Sequence, residues 1–389
     1  MWHAAWTQRG VPTGSILVAD DQPHVVEALR LLLKPEGFMI HTADSPASIL
    51  DALQQRTYDV VLMDLNYARD TTSGREGLDV IGGIRERDTV TPIVVMTAWS
   101  TVTLAVEAMQ RGARDFIQKP WDNQRLLTIV RTQSELGRAS RLAAMLESKQ
   151  KQDLDLASQV QRHLLPHQCP DIPTLAWSAG CTPAGVVGGD YYDFISIDSD
   201  RTVVAVGDVS GKGVAAALLM ASLQGSLRTR ATAYGSDIQR LLIETNRCLY
   251  GTIPSNKYAT LFYAAYSNAT RSLVYVNAGH NPPLLLRVDG TVVRLREGGP
   301  VLGLFPDVTF TTGGAQLAPG DRLVLYTDGV TEALNDEGEE FGEDRLLAAM
   351  SADASDAEAS HRAVLAAHAA FTGSAPRTDD MTLLIARSQ

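Results

Sequence analysis

The sequence predicts two domains of different class. A doubly wound α/β domain on a parallel five-stranded sheet comes first, then a helical linker, then an α+β layered sandwich of two antiparallel sheets flanked by helices. Three observations carry this reading. From Ser15, short apolar strands alternate with amphipathic helices, as in ILVA, VVEALRLLL, ASILDALQQ, VVLM, IVVM and DFIQ. From about residue 134 to 165 the chain turns polar, with apolar residues every three or four positions. After Pro166 and Pro170, strand-like runs follow one another, most of them parted by turn signals. The expected division is a tail over 1–14, a first domain over 15–133, a linker over 134–165 and a second domain over 166–389.

With 389 residues, 45% of them apolar, the chain is long enough for two cores. A net charge of -11 argues against nucleic acid as a main partner, since a phosphate backbone attracts a basic face. No helix-turn-helix is evident either. The cysteines Cys169, Cys181 and Cys248 are scattered without a CxxC pair, which points to a reducing compartment and no zinc site. No stretch approaches the roughly 18 apolar residues of a membrane span. The N-terminus lacks an apolar signal core, so a cytoplasmic location without a membrane partner is expected, with Trp2 and Trp6 in a loosely ordered tail.

Strict strand–helix alternation implies right-handed crossovers and a parallel sheet covered on both faces. Functional groups in such sheets gather beyond the carboxyl ends of the strands. Here those ends carry Asp20 and Asp21, Asp64, Thr97 and Lys119. Three acids a few ångströms apart repel by about 4 kcal/mol per pair at an effective dielectric near 20, so they call for a divalent cation such as magnesium. Asp64 is then placed to attack a phosphoryl group, with Thr97 and Lys119 donating to its oxygens.

Residues 15–133 resemble the receiver domain of two-component response regulators. The resemblance implies that Asp64 is the phospho-acceptor, that Asp20 and Asp21 are metal acids, and that the carbonyl of Asn66 is a further Mg2+ ligand. Thr97 and Lys119 would sense the phosphoryl group, Phe116 would be the rotating aromatic, and a sensor histidine kinase would be the partner. The loop NYARDTTSGREGLD is longer than the minimal turn after the acceptor.

In the linker, Leu136, Ala139, Leu142 and Leu146, then Leu154, Ala157, Val160 and Leu164, flank the charged segment ESKQKQD. This spacing fits an amphipathic helix whose seam pairs with another helix, as in a homodimer, and it equally fits a solvated spacer.

The second domain opens on GGDYYDF, residues 188–194, with two acids three apart among aromatics. Residues three apart on an extended strand face opposite sides, so Asp190 is expected at a site, Asp193 behind it as an acceptor, and the tyrosines in the packing of the sheet. Asp208 closes the run TVVAVG, Asp328 closes RLVLYT, and Asp379 and Asp380 stand just before MTLLIA. Carboxylates from four distant segments at one rim need cations. Oxygen donors without histidine or thiolate indicate magnesium or manganese. Two such ions lower the pKa of a bound water and clamp a phosphate for in-line attack.

GGDYYDF, GDVSGKG, NAGHNPP, YTDGVTEA and TDDMTLL, in that order, resemble the metal-dependent PPM-type serine/threonine phosphatases of the SpoIIE and RsbU branch, over residues 166–389. The resemblance implies two Mn2+ or Mg2+ ions bridged by Asp208. Asp328 and Asp379 would hold one, with Asp380 as an alternative to Asp379, and Asp190 and the carbonyl of Val209 would hold the other. Val209 and Ser210 follow Asp208 where larger eukaryotic members carry glycine and histidine. The implied activity is dephosphorylation of phosphoserine or phosphothreonine on a regulatory protein, such as an anti-sigma-factor antagonist, under control of Asp64 phosphorylation. A catalytically silent module that binds a phosphoprotein is the competing reading. GDVSGKG is one residue too short for a P-loop, and its lysine is followed by Gly213 rather than Ser or Thr. Lys212 is expected as an exposed first-turn lysine or a substrate-phosphate contact. His280 is expected to be a turn histidine holding backbone groups rather than a base, and the acids Asp336, Glu337, Glu339 and Glu340 to form a solvated loop.

Overall fold

The computed structural model describes residues 13–67, 74–97, 102–235, 237–352 and 355–389, and it divides into two compact units, Met1–Lys151 and Gln152–Gln389. The expectations for Trp2, Trp6 and the middle of the long loop after Asn66 lie outside the described residues.

In the first unit the order is β1 (Gly14–Ala19), α1 (Pro23–Leu33), β2 (Phe38–Ala43), α2 (Pro46–Gln55), β3 (Val60–Asp64), α3 (Arg75–Arg85), β4 (Ile93–Thr97), α4 (Val102–Gln110), β5 (Asp115–Gln118) and α5 (Asn123–Leu164). The five strands run parallel in the order β2-β1-β3-β4-β5, as the alternation predicts. Apolar residues on both faces explain the unbroken strand runs. Leu17, Val61 and Met63 pack with Ile49 and Ile81 on one side, while Ile16, Leu62 and Val94 pack with Leu29, Leu126 and Val130 on the other. Helix α5 continues well past residue 133. A Cβ at Gly137 would strike the carbonyl of Asp59, and Arg141 donates to the carbonyl of Tyr58. Beyond that, Leu142, Leu146 and Val160 of the seam are exposed.

The second unit runs β6 (Leu175–Thr182), β7 (Tyr191–Ser196), β8 (Arg201–Val209), α6 (Val214–Tyr234), α7 (Ile238–Tyr250), β9 (Ala259–Ser267), β10 (Ser272–Ala278), β11 (Leu284–Leu286), β12 (Val292–Arg294), β13 (Gly298–Gly299), β14 (Gly313–Gln316), β15 (Arg322–Tyr326), α8 (Asp328–Thr331), α9 (Gly342–Ala352), α10 (Ala357–Thr372) and β16 (Met381–Ser388). One sheet has the order β13-β10-β9-β8-β7 with β14 beside β10, and the other has the order β12-β11-β15-β16-β6. All pairs are antiparallel except β10 with β13.

Three apolar layers hold this unit together. Tyr192, Val204, Phe262, Leu325 and Leu384 fill the space between the sheets. Tyr191, Val203 and Tyr263 face Leu223, Leu227 and Leu241 of α6 and α7. Val324, Leu383 and Ile385 face Leu346, Met350 and Val364 of α9 and α10. The alternation of Tyr191 and Tyr192 between two cores is why the GGDYYDF segment carries aromatics. Each ring fills a different layer of a strand buried on both faces.

Candidate functional site

In the first unit, parallel pairing brings the carboxyl ends of β1, β3, β4 and β5 to one edge, and Asp20, Asp64 and Thr97 are buried there. Lys119 Nζ donates to Asp20 Oδ2 at 2.6 Å and to Asp64 Oδ2 at 2.9 Å. The amides of Gln22 and Leu65 donate to Asp20 Oδ1 and Asp64 Oδ1. Burial pushes the Asp64 carboxyl above its usual range and Asp20 adds to this, while the Lys119 ammonium pulls it back down.

Asp20, Asp21 and Asp64 offer ligand oxygens that all lie within 4.8 Å of one another. Asp21 Oδ1 and the side-chain Oδ1 of Asn66 are buried without a hydrogen-bond partner. Hard oxygens, three of them charged, with two partnerless atoms beside them, fit a magnesium-type cation. The side-chain oxygen of Asn66 was not singled out by the sequence, which pointed to its carbonyl.

In the second unit the acids sit at the ends of strands from both sheets. Asp190 is buried, and its Oδ2 accepts from Thr327 Oγ1 at 2.7 Å and Thr382 Oγ1 at 2.6 Å. Burial, with the charges of Asp208 and Asp380, holds its carboxyl well above the usual range, and the threonine hydroxyls oppose this. Asp208 is pushed up to about 7 by burial and by the charges of Asp328, Asp379 and Asp380. Burial and Asp379 also raise Asp328. These acids therefore feel one another across segments nearly two hundred residues apart.

Among the described residues they do not form a trio as tight as that of the first unit. The half-exposed carboxylate of Asp379 is instead closed by Lys212 Nζ at 3.0 Å, and the same ammonium reaches the carbonyl of Thr378. Lys212 is exposed as expected but paired. An all-oxygen set, mutually repelling and compensated by one surface lysine, has the donor chemistry of a hard divalent ion site.

Asp380 has a different task. Its Oδ1 accepts the Ala184 amide at 2.7 Å and its Oδ2 the Gly189 amide at 2.6 Å, so both oxygens are spent pinning the loop that delivers Asp190. The glycine pair before Asp190 exists for this approach. A Cβ at Gly188 would run into the Asp380 carboxylate, and one at Gly189 would sit 2.8 Å from the Val209 carbonyl and 3.4 Å from Asp208 Oδ1. That same contact places the Val209 carbonyl near the Asp208 carboxylate. Gln161 holds the loop from the other side, accepting from the Gly188 amide at 3.0 Å and donating to its carbonyl at 2.6 Å.

Asp193 is an acceptor on the opposite face, as expected, but its main donor is one that the sequence did not suggest. It faces away from the acid cluster, fully buried, and takes a bidentate pair from Arg228 of α6, Nε at 2.6 Å and Nη2 at 2.7 Å, with Tyr191 OH donating at 3.0 Å. The opposite-face rule separated the two acids correctly, but the partner on the far side is an arginine of a helix, which strand periodicity does not reveal. His280 holds backbone, as expected of a turn histidine, though the group held is at the end of strand β15. Its ring bonds Tyr326 O through Nε2 at 3.1 Å and Thr260 Oγ1 through Nδ1 at 2.8 Å, and burial drives its pKa down to about 4. The sequence reading missed Thr327, Thr382, Gln161 and Arg228. A threonine beside Asp328 and another two residues after Asp380 were the available signals for the first two.

Family comparison agrees with this architecture. Residues 16–131 match the response regulator receiver domain, and residues 198–389 match the family of stage II sporulation protein E, SpoIIE. The chain therefore joins an N-terminal receiver domain to a C-terminal SpoIIE-type domain. More particularly, it is 31% identical over 229 residues to protein IcfG of Synechocystis sp., covering 52% of this chain and 36% of that protein. It is 31% identical over 194 residues to the phosphoserine phosphatase RsbU of Bacillus subtilis, covering 50% of this chain and 57% of that protein. The chain thus spans only about a third to just over half the length of these relatives. The SiaA-PP2C domain of Pseudomonas aeruginosa shares the fold, with a TM-score of 0.56 at 24% identity over 63% of this chain and 100% of that domain. No helix among the described residues is long and apolar enough to cross a membrane.

Proposed function

We propose that the chain is a response regulator whose output is metal-dependent hydrolysis of phosphoserine or phosphothreonine on a regulatory protein, controlled by phosphorylation of Asp64 by a sensor kinase. The observation that supports the reading is geometric: a Cβ at Gly189 would sit 3.4 Å from Asp208 Oδ1, and Thr327, next to Asp328, and Thr382, three residues after Asp379, both donate to Asp190 Oδ2. Similarity to a protein named a phosphoserine phosphatase supports the substrate class.

Asp190, Asp208, Asp328 and Asp379, with the Val209 carbonyl, would hold the two ions, Asp208 from the middle of the set. Asp380, with both oxygens on backbone amides, is a positioning residue. Two Mg2+ or Mn2+ ions, when bound, supply a water of lowered pKa and charge to offset the phosphate. The protein's share is to hold the carboxylates ready. Thr327 and Thr382 fix the Asp190 rotamer, Asp380 and Gln161 fix its loop, and Lys212 offers a positive charge that can turn from Asp379 to a substrate oxygen. In the receiver, Asp20, Asp21 and Asp64 with Asn66 would hold Mg2+, and Lys119 is in place to donate to a phosphoryl group on Asp64.

The test is turnover of p-nitrophenyl phosphate and of a phosphoserine peptide by the full chain with Mn2+. Asp208→Asn is expected to reduce both by at least on the order of 100-fold, the upper range for losing even an outer partner of a metal ligand. Equal turnover by that variant would overturn the assignment. Absence of turnover with retained phosphoprotein binding would favour the silent binding module.

A further inference from the structure

Beside the acid cluster lies a cavity of about 440 Å3, between the C-terminal end of α10, the segment 375–379 and the start of α8. Its volume falls in the ~300–1,000 Å3 range of ligand sites. Asp379 and Gly329, the neighbour of Asp328, form the wall it shares with the cluster, and His368 and Arg377 line it as well.

Two features of this cavity are unspent. His368 is only 6% exposed, wedged against Phe341 with ring centroids 5.2 Å apart and facing the Gly329 backbone, yet its Nε2 has no partner of hydrogen-bond geometry. A buried polar atom left so is costly unless something else supplies a partner. Arg377 is exposed, makes no ion pair among the described residues, and lines the same cavity as His368.

We propose that this cavity seats the peptide chain next to the substrate's phosphorylated residue, with Arg377 selecting a carboxylate side chain in that segment and His368 Nε2 bonding a peptide N–H or hydroxyl. The inference rests on the phosphatase reading above and adds to it a preference for acidic sequence. A peptide residue spans about 3.3–3.6 Å, so a chain whose phosphate lies at Asp328 and Asp379 enters this cavity within a residue or two. A guanidinium fork matches a carboxylate in two parallel hydrogen bonds, which is the geometry for choosing an acidic side chain over a neutral one.

The experiment compares two phosphoserine peptides that differ only in a Glu or an Ala two residues from the phosphoserine, with p-nitrophenyl phosphate as a substrate that leaves the cavity empty. The full chain is expected to favour the Glu peptide in kcat/KM by about fivefold, through KM, the size of a partly exposed ion pair. Arg377→Ala should bring that ratio to about one, and Arg377→Glu should turn the preference toward a Lys-bearing peptide. Retention of the Glu preference by Arg377→Ala would overturn the proposal. So would an equal fall on p-nitrophenyl phosphate, because it would put Arg377 on the phosphate itself.

Peptide binding to the Asp208→Asn chain, read by fluorescence anisotropy, separates the two readings. If no substrate is turned over, the phosphatase assignment fails, while the Glu/Ala ratio of dissociation constants and its loss in Arg377→Ala still decide the cavity.

Discussion

At the scale of single residues, the chain ties its charges down with hydroxyls and backbone amides, and the cost appears as shifted proton affinities. His280 is the cleanest case. Burial excludes water and drives its pKa down to about 4, below the ordinary value of 6.5, against the opposing pull of the Tyr326 carbonyl that its Nε2 bonds. Between those pH values the unfolded chain binds a proton that the folded one refuses. The contribution is therefore complete above about pH 6.5 and is lost as pH falls through 4, a difference of about 3 kcal/mol. The raised carboxyls of Asp190 and Asp208 act in the opposite sense, losing stability as pH rises. Comparing wild type with His280→Gln isolates the histidine. The variant's urea midpoint, followed by far-UV circular dichroism, is expected to fall less steeply from pH 6.5 to 4.5, and identical slopes would show that the ring takes up its proton equally in the folded and unfolded states.

The aspartates of both sites were legible because each ends or begins an apolar strand. The hydroxyls that orient Asp190 were not, since a threonine near a strand end has many ordinary reasons to be there.

At the scale of elements, the pair between Asp193 of β7 and Arg228 of α6 shows what periodicity leaves out. The sequence places Asp193 opposite Asp190 but is silent about which helix crosses that face, because helix α6 is apolar on more than one side and its register on the sheet is a tertiary outcome. Removing Arg228 leaves a fully buried carboxylate with only Tyr191 OH and the Phe194 amide. Arg228→Ala is expected to destabilise the second unit by about 2 kcal/mol, below the roughly 3–5 kcal/mol for breaking a fully buried pair because the arginine is half exposed. Asp193→Asn with Arg228→Leu should recover most of that loss, and chemical denaturation of the three variants measures it.

The sheets, by contrast, were legible as classes. Unbroken apolar runs joined by helices can only be a parallel sheet covered on both faces, and successive strands with tight turns an antiparallel one. The short strands β13 and β14 escaped notice because glycines make half or more of each, and they pair through backbone alone.

At the scale of the whole molecule, one continuous helix carries the chain from the first unit into the second. Helix α5 starts at Asn123, packs Leu126 and Val130 into the first unit's core, and near its end presents Gln161 to Gly188, two residues before Asp190. The sequence showed the periodicity of this segment, but not that a glutamine amide near its end brackets the loop bearing a metal-ligand candidate. Under the proposed regulation, a change in α5 on phosphorylation would reach the Asp190 loop through Gln161.

Couplings between sites are typically 1–3 kcal/mol, so an acyl-phosphate donor is expected to change the phosphatase rate of the full chain by roughly 5- to 150-fold. Asp64→Asn should abolish the change. Gln161→Ala should shrink the ratio of rates with and without donor, whatever it does to the basal rate, because the loop would no longer be tied to the helix. Phosphatase rates on p-nitrophenyl phosphate for the three chains, each with and without donor, decide the matter. A ratio in Gln161→Ala equal to that of wild type would mean that the signal reaches Asp190 by another path, and a wild-type ratio of one would mean that the receiver does not govern this site.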